Sequence, residues 1–100
     1  MKRETMLIDK GCSLGDTVSI KLVNGDEIIT RLEEETSDTV KINRPLAITL
    51  GQQGLGMIPW MFLAEKETFT LQKSHIFCMV LAKKDAATQY LQGTTGIALA

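Results

Sequence analysis

The sequence predicts an all-β chain finished by one short helix. Three observations carry that reading. Apolar and polar residues alternate with period two along most of the length, short polar turns interrupt the alternation, and a single stretch near the C-terminus repeats every four residues instead.

The first strand is Thr17–Leu22, where Val18, Ile20 and Leu22 point to one face and Ser19 and Lys21 to the other. Asn24-Gly25 follows at once; both residue types tolerate positive φ, so the pair predicts a type I′ hairpin turn. The chain re-enters a strand over 27–33, with Ile28, Thr30 and Leu32 on one face and Arg31 and Glu33 on the other. Residues 34–38 form a polar turn, and 39–43 a third strand carrying Val40 and Ile42. The first half therefore reads as a three-stranded antiparallel meander.

Arg44-Pro45 breaks the ladder, since proline has no N–H to give it. Leu46, Ile48 and Leu50 then alternate again after a bend, and residues 51–56, with three glycines and two glutamines, read as a flexible loop. Residues 57–63 are apolar on both faces. In 67–71 the inward positions are Phe69 and Leu71, 72–75 is a polar break, and Ile76–Leu81 is a strand with no polar face. Ala82, Ala86 and Tyr90 lie four apart, as do Ala87 and Leu91, which predicts an amphipathic helix over about 83–92 with Gly93 as its C-terminal cap. Residues 1–15 form an N-terminal extension with weak helical signals, and 93–100 a small-residue tail.

One hundred residues fit one domain, 1–100, able to bury a core without disulfides or metals. Eleven Lys and Arg balance twelve Asp and Glu, so the chain does not coat nucleic acid by bulk charge, although a local basic site is compatible with this. Two cysteines, Cys12 and Cys78, make no framework, and Cys78 sits in an apolar run as a buried thiol would. Reduced thiols and a charged N-terminus without an apolar core point to the cytoplasm. No apolar run approaches the ~20 residues of a membrane span; the longest candidate, 57–64, contains Pro59.

The chemistry-bearing residues do not assemble into a reaction centre on paper. The single histidine, His75, follows Ser74, but adjacent side chains on extended backbone point apart, which argues against a nucleophile triad. His75, Cys12 and Cys78 lack the paired spacing of a zinc site. Glu33, Glu34 and Glu35 read as a solvated acidic turn, and the glycines of 51–56 are followed by no Lys-Ser/Thr that would cradle phosphate. The expectation is a non-enzyme without cofactor or metal. Met57, Trp60, Met61, Phe62, Leu63, Phe77, Met79 and Leu81 exceed what one small interior needs, so identical subunits are expected to cover part of that surface. In a monomer the helix and the 51–56 loop would have to cover it.

Residues 16–50, and within them Val18 to Leu32 around Asn24-Gly25, resemble the first signature of the Sm/LSm proteins, which include bacterial Hfq. Residues 68–79 resemble the second signature, where two strands meet at a tight turn. The chain as a whole looks closer still to uncharacterised Sm-like proteins encoded by tailed phages of marine bacteria, through 22–29, Arg44-Pro45-Leu46, Ile58-Pro59-Trp60, Tyr90-Leu91 and 94–97. For that group the resemblance implies a fold and no function.

The resemblance implies a strongly bent five-stranded antiparallel Sm-like barrel with an insertion over 44–67. It also implies a homo-oligomeric ring in which Phe69 and Leu71 of one subunit meet Ile76, Phe77, Met79 and Leu81 of the next. The implied RNA-facing positions are Thr36, Asp38, Gln72, Lys73 and His75. The motif is broken there: the base-holding Asp and Asn fall on Thr36 and Val40, the stacking position on Asp38, and the Arg-Gly pair on Gln72-Lys73. Base readout is therefore not implied, and Lys73 and His75 are left as phosphate contacts. Two expectations follow: weak, salt-sensitive binding of single-stranded RNA, or a structural ring that has lost its RNA pocket. Both place the chain in the cytoplasm, that of a bacterial host if it is phage-encoded, with no membrane partner.

Overall fold

A computed structural model describes residues 7–8, 12–52 and 54–95. The strands are β1 (Leu7–Ile8), β2 (Thr17–Leu22), β3 (Glu27–Glu35), β4 (Thr39–Gly51), β5 (Gly54–Pro59), β6 (Thr68–Gln72) and β7 (Ile76–Leu81). A 3₁₀ turn, Lys73–His75, joins β6 to β7, and the helix α1 spans Lys84–Thr95. The strand order is β1-β7-β2-β3-β4-β5, with β6 also paired to β4. Every pairing is antiparallel except β1 with β7. The path has two ends and does not close on itself, so the expected closed barrel is, as described, an open sheet.

The period-two residues supply the core. Val18, Ile20 and Leu22 from β2, Ile28 and Leu32 from β3, Val40 and Ile42 from β4, and Ile76 and Met79 from β7 form one buried cluster. Phe69 and Leu71 of β6 pack against the same cluster, so strands from both flanks share one interior and the sheet must curl around it. Each fully buried aliphatic side chain contributes about 1.5–3 kcal/mol. Cys78 is only half buried, because the inward positions of β7 belong to Ile76 and Met79.

The β2–β3 turn differs from the expected type I′. Lys21 pairs with Glu27, Leu22 N–H donates to the Asp26 carbonyl at 2.8 Å and Gly25 N–H to the Leu22 carbonyl at 2.9 Å. The loop is thus three residues, Val23 to Gly25, and only Gly25 has positive φ, 101°. A type I turn followed by a left-handed glycine fits three residues, and Asn24 serves instead by accepting from Asp26 N–H at 2.9 Å.

Arg44-Pro45 does not end the strand, because β4 runs through it. Ile29 pairs with Leu46 and Arg31 with Asn43, so Thr30 alone faces both Arg44 and Pro45. This is a bulge, one of the few places where a sheet accommodates proline. Arg44 enters the left-handed region with φ of 53°. The carbonyls the bulge leaves unpaired are satisfied from two sides. Fully buried Thr30 donates its hydroxyl to Asn43 O at 2.8 Å. The Tyr90 hydroxyl lies 2.8 Å from the same oxygen and 3.1 Å from Arg44 O, sharing its proton between them. The Arg44 guanidinium ties the outer side, bonding Glu67 at 2.9 Å and the Thr94 carbonyl.

The expected 51–56 loop is instead the tight end of a hairpin, with Gly51 opposite Gly54 and β5 starting there. Gly56 faces Thr49 so closely that a Cβ would sit 2.7 Å from its hydroxyl oxygen, so a larger residue would force Thr49 aside. The doubly apolar stretch 57–63 is strand only to Pro59 and then irregular. Helix α1 continues through Gly93, which is therefore not its cap. It buries Tyr90 and leaves Leu91 43% exposed. The expectations for 1–6 and 96–100 lie outside the described residues.

Tyr90→Phe should cost about 1–2 kcal/mol in urea unfolding, because Arg44 O then loses its donor inside the protein. Burial holds the Tyr90 hydroxyl above its ordinary value of 10.0. A group raised in the folded state stabilises fully below its unfolded pKa, and that contribution fades as pH rises through the folded one. Wild type should therefore lose stability above about pH 10 more steeply than Tyr90→Phe.

Candidate functional site

Two strand edges are the principal features that could engage a partner. On β6, Arg44 N–H donates to Glu67 O at 2.6 Å and Lys73 N–H to Asp38 O at 2.8 Å, bracketing the ladder with β4. Antiparallel bonding alternates, so Phe69 and Leu71 give their main-chain groups to β4 while Thr68, Thr70 and Gln72 turn theirs outward. Among the described residues no strand meets that edge.

On β7 the corresponding bracket is Ala82 N–H to Thr17 O at 3.1 Å, which assigns Cys78 and Val80 to β2 and turns Met79 and Leu81 outward, while Phe77 sits where the register with β2 shifts. This edge is partly occupied. The two residues of β1 run parallel to it, opposite Cys78 and Met79. Of the side chains expected at a subunit contact, Ile76 and Met79 are core residues, 2% and 0% exposed, and have no surface to offer. They lie three apart on β7, because the register with β2 shifts between Lys21 and Leu22. Phe77 and Leu81 stand 64% and 45% exposed, while Phe69 and Leu71 lean inward on the core.

The five positions implied as RNA-facing do converge at one end of the sheet. Lys73 is bonded to Asp38 through the main chain, and Gln72 lies opposite Thr39. Thr36 accepts from Thr39 N–H at 2.9 Å and shapes the turn that carries Asp38. His75 is exposed, its carbonyl taking Val23 N–H at 2.9 Å. The electrostatics run against phosphate, however. The Lys73 ammonium is 2.8 Å from the Glu35 carboxylate, and Glu33, Glu34 and Asp38 lie on the same end of the β3–β4 hairpin. Sequence reading missed Glu35 as the partner because the pair is 38 residues apart.

Beside this end a pocket of about 270 Å³ is lined by Leu22, Val23, Asn24, Trp60, Leu71 and His75. Trp60 forms its wall and packs edge-on against Phe69 with ring centroids 6.3 Å apart. No group of three or more His, Cys, Asp or Glu among the described residues could hold a metal ion. No described helix is long and apolar enough to cross a membrane. No protein-family model matches the chain, and no curated protein matches it.

Glu35→Gln leaves Lys73 without its counter-charge at a partly exposed position. It should cost no more than about 1 kcal/mol in urea unfolding, with the loss shrinking at high salt.

Proposed function

We propose that the chain is an Sm-like self-assembling module, in which β6 of one copy adds to β7 of the next, and that it serves as a structural or protein-interaction ring. The observation that carries this reading is the outward main-chain edge of Thr68, Thr70 and Gln72, a row of unpaired donors and acceptors on an open sheet. Such an edge invites another strand. Five strands, β2, β3, β4, β6 and β7, with a tight 3₁₀ turn between the last two, are consistent with this reading. Because the donor edge and the acceptor edge are different surfaces, pairing is head to tail, and a closed ring satisfies every copy. The β1 segment on β7 must leave for the next copy to enter, so β1 opposes assembly.

A second reading, RNA binding, draws on the convergence of Thr36, Asp38, Gln72, Lys73 and His75 at one end. It ranks second because Lys73 is already paired to Glu35 amid acidic neighbours, and phosphate would have to compete for it.

Light scattering of the full chain at micromolar concentration should give a mass several times 11.0 kDa. Thr70→Pro removes an outward donor without touching the β4 ladder and should return the monomer; a wild type that scatters as a monomer overturns the reading. Fluorescence anisotropy with short single-stranded RNAs at two salt concentrations tests the second reading. There, Lys73→Ala should weaken binding to all sequences alike, and Glu35→Gln should strengthen it.

A further inference from the structure

We propose that residues 45–64 form an arm that seats on the β7–α1 junction of a second copy, an inference that rests on the assembly reading above. The arm comprises the second half of β4, β5 and the irregular segment after it. From Pro45 to Ala64 it contains no charged residue, in a chain that is 23% charged. Trp60 packs against Phe69 and the core, but several of the arm's other large apolar side chains stand exposed on the copy that carries them. Leu50 is 82% exposed, Leu55 58%, Phe62 70% and Leu63 99%. Soluble chains rarely leave so much contiguous apolar surface uncovered without a partner for it.

A second uncharged stretch with exposed apolar side chains lies on β7. Residues 76–82 also lack charge, and Phe77, Val80 and Leu81 there are 64%, 41% and 45% exposed. The two surfaces match in character, and edge pairing brings them together. β3 lies along one side of β4. On the other side, β6 pairs with 39–43 and β5 with 46–51, so β5 continues the line of β6. A strand added antiparallel to β6 runs opposite to it, so its C-terminal end lies by Thr68, the end of β6 nearest the arm. For β7 of a second copy, that end is Leu81, followed by Ala82 and the start of α1. The arm therefore faces the partner's β7–α1 junction. Among the described residues the copy's own helix does not cover the arm's far end: Tyr90 anchors it on the Arg44-Pro45 bulge, and Gly93 and Thr94 share a pocket with Pro45, Leu46, Pro59, Met61 and Ala64, while Leu50 and Leu55 stay exposed. Since arm and seat are different surfaces, the contact reinforces the head-to-tail direction of the edge pairing.

Sedimentation velocity over a range of concentrations tests this with Leu55→Asp, an exposed position whose circular dichroism should match wild type. The expected result is an apparent dissociation constant raised at least about tenfold. Mixing a Leu55→Cys chain with a Lys84→Cys chain under mild oxidation should yield a covalent dimer containing one of each, above the background of the parent chain. If wild type assembles and Thr70→Pro disperses it while Leu55→Asp assembles like wild type, the arm proposal fails and the edge reading stands. If Leu55→Cys chains link only to each other, arms meet arms and the proposed seat is overturned. A wild type that is monomeric overturns both, as does assembly that Thr70→Pro leaves intact, because the seat was derived from that edge.

Discussion

The Tyr90 hydroxyl, held between the carbonyls of Asn43 and Arg44, is the contact on which the rest of the architecture depends. β4 is long because it bulges at Arg44-Pro45 instead of stopping there. A bulge on a buried stretch exposes carbonyls that the ladder no longer serves, and leaving a buried carbonyl unmade costs about 1–3 kcal/mol. Thr30 from below and Tyr90 from α1 meet that need, so the helix is anchored by the defect in the strand. Because β4 passes through the bulge, one strand carries β6 on its first half and β5 on its second. The free edge and the projecting arm are thereby placed on one line.

The charges at the other end of the sheet bear on how phosphate would be received there. A lone lysine on a turn attracts phosphate only if its own chain has not already neutralised it. Lys73 has its carboxylate at 2.8 Å, and the hairpin that supplies Glu35 also brings Glu33, Glu34 and Asp38. Arg31 meets Glu33 and Lys41 lies opposite Glu34, so the hairpin end is close to balanced and, repeated around a ring, would offer a polyanion no net attraction. The backbone edges are indifferent to this balance, because main-chain hydrogen bonding does not depend on the sign of the surface. That asymmetry is why assembly is proposed ahead of nucleic-acid binding.

Much of this was legible in the residues. The alternation of Val18, Ile20 and Leu22, of Ile28, Thr30 and Leu32, and of Val40 and Ile42 gave strands and their inward faces directly, because a half-buried strand must repeat every two residues. The bounds of β2 and β7 match the apolar patterns that announced them. What misled was local chemistry read without its neighbours. Pro45 looked like a stop because its missing N–H is a local fact, whereas the hydroxyls that make a bulge tolerable come from residues 13 and 47 positions away from Asn43, whose carbonyl they meet. Gly93 looked like a cap because glycine often ends helices, yet the helix continues through it to Thr95.

The sequence by itself determined the β-rich class of the chain, the positions of β2, β3, β6 and β7 and the inward residues of the meander, since burial periodicity is written in consecutive side chains. Only the tertiary structure decided which main-chain groups are left over. The outward set of Thr68, Thr70 and Gln72, the share of β7 taken by β1, and the neutralisation of Lys73 all follow from pairings between distant segments. The physical reason is that a hydrogen bond or an ion pair is defined by two partners, and a sequence names each residue without naming the one it will meet.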